Sequence, residues 1–167
     1  LRVQGAAADL EGRHEEAIRL LQQAEQVMRA KPERLADLAS VLNELGIAQS
    51  GAKHADEAER MFASALALHR QIYGDRNPTT LNTRASLAAE QMSNAKAKQA
   101  VNEYASILSM QREVLGTQAH PDMAVTLGFL AIAHYREGNL KAAQDAALQG
   151  WDMSRQLPEG DRTAVHW

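Results

Sequence analysis

The sequence predicts an all-α protein built from repeated pairs of antiparallel helices. Three observations support this prediction. Ala, Leu, Gln and Glu dominate, whereas aromatic residues make up only 4% and the chain has four prolines, a composition that favours helix. No convincing alternation of apolar and polar residues indicates a strand. Finally, the stretch from Arg70 to Glu90 resembles the stretch that begins at Arg112, so the chain repeats itself.

Small residues define the spacing of the repeat. Each copy has a small residue late in its first helix and another twelve residues later, early in its second helix. A pair of small residues lets two antiparallel helices approach closely around a short turn. The four pairs are Gly5 and Ala17, Gly46 and Ala58, Ala88 and Ala100, and Ala131 and Ala143. The sequence therefore predicts four helix pairs with a period near 42 residues.

A larger residue follows four positions after the second small residue in most copies. It is Leu21, Phe62 and Tyr104 in the first three copies, and Ala147 in the fourth. Apolar residues continue at helical spacing along these second helices, as in the stripe that includes Trp151 in the fourth copy. One helix pair cannot bury such a face alone, so the pairs are expected to stack on each other.

Glycines mark the predicted turns inside the helix pairs. Gly12 and Gly138 stand between the two helices of the first and last copies, and Gly51 lies near the turn of the second. A glycine in a left-handed conformation commonly ends a helix. The third copy has "SNAKAK" in place of a glycine, which makes its hairpin the weakest match to the repeat.

The repeat resembles a known family. Leu45-Gly46, Ala58 and Phe62-x-x-Ala65 resemble the tetratricopeptide repeat, and the longer period with "LG…HPDMA" between copies is similar to its kinesin-light-chain-like subclass. The resemblance implies a right-handed superhelical α-solenoid that binds a peptide or protein segment on its concave face and is not an enzyme. It also implies a single array over residues 1–167, with repeats at about 1–31, 32–74, 75–116 and 117–158, and the start of another at 159–167.

The lining of a binding groove follows from this resemblance and from the register of the first helices. Asn43 and Asn82 offer donors and acceptors for the backbone of a bound segment. Phe129 and its neighbours could form a pocket for an apolar anchor, with Gly128 leaving room beside it. For Phe129 and Ile132, packing against a neighbouring repeat is an equally good interpretation. The predicted groove residues are Ser40, Asn43, Glu44, Ile47, Asn82, Ser86, Ala89, Met92, Val125, Phe129, Ile132, Tyr135 and Arg136.

Catalytic and metal-binding interpretations are poorly supported. The chain has six histidines and no cysteine, and the histidines do not follow a metal-ligand spacing. His120 aligns with Asn77 in the previous copy, and asparagine can cap a helix but cannot perform the acid-base chemistry of imidazole. Acidic residues such as Glu15 and Glu16 fall where second helices begin, a position that favours negative charge. The sequence therefore predicts no catalytic residue, no metal site and no cofactor.

Charge and hydropathy limit the expected partners. The net charge is -3 and no basic run is present, which argues against nucleic acid and acidic membranes as partners. No apolar stretch approaches the roughly 20 residues of a membrane span. The sequence predicts a soluble protein, with the cytoplasm as the favoured location, that binds a protein or peptide segment.

Both ends of the sequence suggest that it is part of a longer protein. The first residue is Leu1, and "DRTAVHW" at the other end resembles the start of another repeat. The expectation is a scaffolding or sensory region of a larger bacterial signalling protein. The alternative is a self-assembly module that forms homo-oligomers through exposed end repeats.

Overall fold

The fold consists of eight α-helices and one short 3-10 helix in the part of the chain that the structure describes. The structure, a computed structural model, describes residues 1–93 and 97–159. No strand occurs within these ranges, which confirms the predicted all-α class. The helices are α1 (Arg2–Leu10), α2 (His14–Arg29), the 3-10 helix (Pro32–Arg34), α3 (Leu35–Gly51), α4 (Ala55–Tyr73), α5 (Pro78–Ser93), α6 (Ala97–Leu115), α7 (Pro121–Glu137) and α8 (Leu140–Gln156).

These helices form two compact units, Leu1–Asp75 and Arg76–Trp167. The first unit contains α1 to α4, and the second contains α5 to α8. Each helix pair falls within one predicted copy of the repeat. The middle of the weakly matching "SNAKAK" turn, residues 94–96, lies outside the described residues, and so does nearly all of the repeat start predicted at 159–167.

The core of the first unit depends on two glycines that face large side chains. A Cβ placed on Gly5 would lie 2.7 Å from Cγ of Leu21, and a Cβ placed on Gly46 would lie 2.7 Å from Cε1 of Phe62. Leu21 and Phe62 are both buried. The first helix of each pair therefore needs a residue without a side chain at this position, because the larger residue of the second helix occupies the space.

The core of the second unit is centred on Tyr104, which is fully buried. The Tyr104 hydroxyl donates a hydrogen bond of 3.1 Å to the carbonyl oxygen of Ala85 in α5. Its ring stacks on Phe129 of α7, with centroids 5.5 Å apart and ring planes 10° apart. Burial, with the nearby charges of Glu90 and Glu103, raises the pKa of this hydroxyl. Tyr104 therefore links three helices of the second unit and remains a neutral donor.

The turns inside the helix pairs differ from the prediction in one respect. Gly12 and Gly138 have positive φ values, as expected, but in the second pair the positive φ of 63° belongs to Lys53. The expectation that Gly51 ends that helix in a left-handed conformation was wrong. Gly51 is instead the last residue of α3 and packs against His14, whose Nδ1 would lie 2.6 Å from an added Cβ.

Helix capping explains the segment that contains His120. The backbone N–H of Asp122 donates to Nδ1 of His120 at the start of α7, with a distance of 3.2 Å. The backbone N–H of Thr79 donates to Oδ1 of Asn77 in the same way, at 2.9 Å. The predicted equivalence of His120 and Asn77 is confirmed, since both side chains accept a hydrogen bond from the residue two positions later.

Replacing His120 with asparagine is expected to change the free energy of unfolding by less than about 0.5 kcal/mol, because Asn77 performs the same capping role. Replacing it with alanine removes the acceptor and is expected to cost about 0.5–2 kcal/mol. Urea denaturation at pH 7.5, followed by circular dichroism, measures both changes. Equal losses in the two variants would contradict the capping role.

Candidate functional site

In the first unit, the predicted groove residues lie along one face of α3. Glu44 forms an ion pair with Arg2 of α1, whose Nε donates to Oε1 of Glu44 at 2.9 Å. This hydrogen bond raises the pKa of Arg2. The Ser40 hydroxyl donates to the Ala36 carbonyl oxygen within its own helix. The Ser40 hydroxyl and Oε1 of Glu44 thus already have partners within this unit.

Two oxygen atoms on the same face of α3 have no hydrogen-bond partner among the described residues. Oδ1 of Asn43 and Oε2 of Glu44 are both shielded from solvent. A shielded polar atom without a partner is costly and is uncommon in native proteins. Ile47, one turn after Asn43, leaves 45% of its surface exposed. This face therefore combines unused acceptors with an exposed apolar side chain.

In the second unit, the predicted residues of α5 are mostly polar or small. Asn82 is exposed, with its Nδ2 3.5 Å from Oδ2 of Asp122, while Ala89 and Ser86 are half-buried. The Ser86 hydroxyl donates to the Asn82 carbonyl oxygen. Met92 differs from the prediction, since it is only 5% exposed and belongs to the core around Tyr104. Its side chain is packed in the core and is unavailable to a ligand.

The predicted residues of α7 divide into packed and exposed side chains. Val125 packs against the small cluster that contains Leu157, and Phe129 packs on Tyr104. Ile132 and Tyr135 are exposed by 42% and 66%. Arg136 donates a hydrogen bond of 3.2 Å to the Met92 carbonyl oxygen. Of the two interpretations left open for Phe129 and Ile132, packing holds for Phe129 and exposure for Ile132.

A cavity opens between α7 and α8 beside the exposed Ile132. Its volume is about 430 Å³, within the range of roughly 300–1,000 Å³ that is usual for ligand pockets. We call it the Ala147 pocket, because Ala147 is the alanine at the position that carries a larger side chain in the other copies. Its lining is mostly apolar, and the lining residues are Gly128, Ile132, Gln144, Ala147, Leu148 and Trp151.

The Ala147 pocket agrees with the prediction on the side of α7 and differs from it on the side of α8. Room beside Gly128 was predicted, but α8 contributes most of the lining, and the stripe containing Trp151 was expected to be buried. Trp151 and Leu148 are instead 55% and 53% exposed. The signal was present in the sequence, since Ala147 is the only small residue at a position that is Leu21, Phe62 and Tyr104 elsewhere.

The metal-binding, acidic and membrane-spanning features considered in the sequence can also be examined in the described part of the chain. The described residues contain no group of three or more His, Asp or Glu side chains that could hold a metal ion. Glu15 and Glu16 lie in the first turn of α2, as predicted, and Glu16 pairs with Arg13. Within the same ranges, no helix is both long enough and apolar enough to cross a membrane.

Comparison with known proteins agrees with this architecture. Residues 1–71 match the model of the tetratricopeptide repeat family. No curated protein sequence matches the chain. The crystal structure of BtubC (BKLC) from P. vanneervenii has a similar fold, with a TM-score of 0.81 and 15% identity. The similarity covers 99% of this chain, which spans only 64% of the length of BtubC.

A candidate kinesin light chain from Podosopora anserina, with nearly identical TPR-like repeats, is also similar. Its crystal structure has a TM-score of 0.78 at 19% identity and covers 98% of this chain and 79% of the other. A substituted form of that protein has a TM-score of 0.79 at 20% identity, covering 98% of this chain and 78% of the other. These similarities confirm the predicted fold class. Residues 1–71 thus match the tetratricopeptide repeat family, and the chain has a fold similar to that of kinesin-light-chain TPR-like repeats.

Proposed function

We propose that the chain is a peptide-binding module that recognises a segment of another protein. Tetratricopeptide repeats generally mediate interactions between proteins and are typically not enzymes. The observation that supports binding most strongly in this chain is the Ala147 pocket with its exposed rim. Ile132, Leu148 and Trp151 are each 42% or more exposed, and clustered exposed apolar side chains are typical of interaction sites.

Each unit offers one helix face with contacts that such a segment needs. On α7, Ile132 and Tyr135 supply exposed apolar and aromatic surface. On α3, Asn43 has a side-chain oxygen without a partner among the described residues, and its amide can exchange hydrogen bonds with a peptide backbone. We propose the same binding role for the remaining predicted groove residues. Met92 and Phe129 would act indirectly, since they pack in the core of the second unit.

We propose a scaffolding or sensory role in a larger bacterial signalling protein. The Ala-rich, Lys-poor composition supports a bacterial source. A family that generally mediates interactions between proteins fits a module that binds while another domain performs the chemistry.

Selection of peptides from a random library on the immobilised chain tests the binding proposal. We expect each selected peptide to bind either Ile132→Gln protein or Asn43→Ala protein about tenfold or more weakly, because each variant removes a contact from the recognition face of its own unit. Val114→Gln is the matched control, since Val114 is 44% exposed on α6 and lies outside the predicted groove. If the selected peptides bind both variants as tightly as the unmodified chain, the proposed recognition faces are wrong.

A further inference from the structure

A second cavity of the second unit lies between α6 and α8, with α7 forming its remaining wall. Its volume is about 360 Å³. We call it the α6–α8 cavity. The three helices that line it all lie within the described residues, and they belong to two neighbouring helix pairs, so the space does not arise from a pair that lacks its neighbour. We propose that this cavity binds a free amino acid with an apolar side chain, in its zwitterionic form. The inference goes beyond the proposed peptide binding and does not depend on it.

Two opposite charges line this cavity without a partner in the protein. Arg112 belongs to the wall from α6, and Asp145 belongs to the wall from α8. Neither side chain forms an ion pair or a hydrogen bond among the described residues, and the two do not pair with each other. A carboxylate suits the guanidinium of Arg112, and an ammonium group suits the carboxylate of Asp145. A zwitterion would therefore meet an opposite charge at each end.

The corresponding arginine of the first unit already has an internal partner. A shift of 83 residues aligns α6 with α2, so that Arg112 corresponds to Arg29 and Leu108 to Glu25. Arg29 pairs with Glu25 at 2.7 Å, one turn earlier in the same helix. In α6, leucine replaces this glutamate and lines the cavity. Arg112 therefore lacks the carboxylate that its counterpart has, and an external carboxylate can take that place.

The wall from α8 differs from the first unit in size as well as in charge. A shift of 85 residues aligns α8 with α4, so that Asp145 corresponds to Arg60 and Ala146 to Met61. Arg60 pairs with Glu57 of its own helix, whereas Asp145 has no such partner. Met61 packs against two apolar clusters of the first unit. The shorter side chain of Ala146 leaves room at the equivalent place, where it lines the cavity.

The rest of the lining suits the body of an amino acid. Leu127 and Leu130 of α7 offer apolar surface for its side chain. His134 also lines the cavity, and its Nδ1 is shielded from solvent, has no hydrogen-bond partner among the described residues and lies 3.7 Å from Oε2 of Glu137. A shielded polar atom without a hydrogen bond is uncommon, and a polar atom of the ligand would supply one. The volume lies at the small end of the usual range for ligand pockets, roughly 300–1,000 Å³.

The experiment uses four small probes and nuclear magnetic resonance of the ¹⁵N-labelled full chain. L-leucine carries both charges, 4-methylpentanoate lacks the ammonium group, 3-methylbutylamine lacks the carboxylate, and N-acetyl-L-leucinamide lacks both. We expect L-leucine to shift the backbone amide signals around the α6–α8 cavity, with a dissociation constant on the order of 1 mM. Each of the other probes should bind about tenfold or more weakly, because it loses at least one charge-assisted contact.

Two substitutions of similar size connect each charge of the ligand to one side chain. Arg112 and Asp145 are exposed, so Arg112→Gln and Asp145→Asn should leave the fold intact. Both should weaken binding of L-leucine about tenfold. Arg112→Gln should also abolish the preference for L-leucine over 3-methylbutylamine, and Asp145→Asn should abolish the preference over 4-methylpentanoate.

Three further variants serve as a blocked form and as controls. Ala146→Met copies Met61 of the first unit and should abolish the shifts by filling the cavity. Arg29→Gln removes the corresponding arginine of α2, and Asp152→Asn removes an exposed carboxylate of α8 that does not line the cavity. Both controls should bind L-leucine as the unmodified chain does.

Either of two results with the probes would overturn the proposal. One is the absence of shifts around the cavity at ten times the expected dissociation constant of L-leucine. The other is equal binding of N-acetyl-L-leucinamide, which would assign the cavity to an apolar side chain of a peptide. Undiminished binding of L-leucine in both Arg112→Gln and Asp145→Asn protein would contradict it as well. None of these results bears on the proposed peptide binding, because Asn43 and Ile132 do not line this cavity.

Discussion

Tyr104→Ala is expected to lower the free energy of unfolding of the second unit by about 3–5 kcal/mol, the usual range for removing a buried aromatic side chain. The loss has three sources. The buried ring leaves a cavity among α5, α6 and α7, the stack on Phe129 disappears, and the Ala85 carbonyl loses a donor. Amide hydrogen exchange of α5 to α8, with guanidinium denaturation, measures the change for this unit.

The conservative variant separates packing from hydrogen bonding. Tyr104→Phe keeps the ring and its stack on Phe129, and removes only the hydroxyl that donates to Ala85. We expect a loss of about 0.5–1.5 kcal/mol. A loss in Tyr104→Ala that does not exceed the loss in Tyr104→Phe would show that the ring is not the centre of this core.

Phe62→Ala is expected to destabilise the first unit by a similar amount, about 3–5 kcal/mol. Phe62 is 3% exposed, and its ring lies directly against Gly46. The resulting cavity would lie between α3 and α4, so amide exchange in α1 to α4 should increase most. Exchange in α5 to α8 serves as the internal control.

The contact between Gly46 and Phe62 predicts that Gly46→Ala lowers the free energy of unfolding when the Phe62 ring is present and raises it when the ring is removed. In the unmodified chain, Gly46→Ala places a Cβ 2.7 Å from a rigid ring, and overpacking of this kind costs about 1–3 kcal/mol. In Phe62→Ala protein the obstructing ring is absent, and alanine stabilises a helix by about 0.5–1 kcal/mol relative to glycine. Stabilities of the two single variants and the double variant form a cycle that measures this coupling. Additive effects would contradict the contact.

Much of the fold could be predicted because its determinants are local and repeated. The twelve-residue spacing from Gly46 to Ala58 predicted two helices in close approach, and Phe62 four residues later predicted the side chain that fills the space between them. The shared role of Asn77 and His120 was also predictable, because each caps a helix through an atom of its own side chain. Capping and helical periodicity depend on neighbours within a few residues, so a sequence displays them directly.

The candidate site was less predictable because exposure depends on residues far apart in the chain. The sequence could not show that Phe129 stacks on Tyr104 or that Met92 is buried. The left-handed backbone at Lys53 was also missed, since glycine was expected to take that role at Gly51. A helical stripe looks the same in sequence whether its residues pack against another helix or face solvent.

The sequence by itself determined the all-α fold class, the helix pairs and the resemblance to tetratricopeptide repeats. All three follow from spacings that recur along the chain. Only the tertiary structure decided which apolar residues are exposed and where a cavity forms. Ala147 shows the physical reason. Its small size is visible in the sequence, but an alanine creates a pocket only where no neighbouring side chain moves in to fill the space.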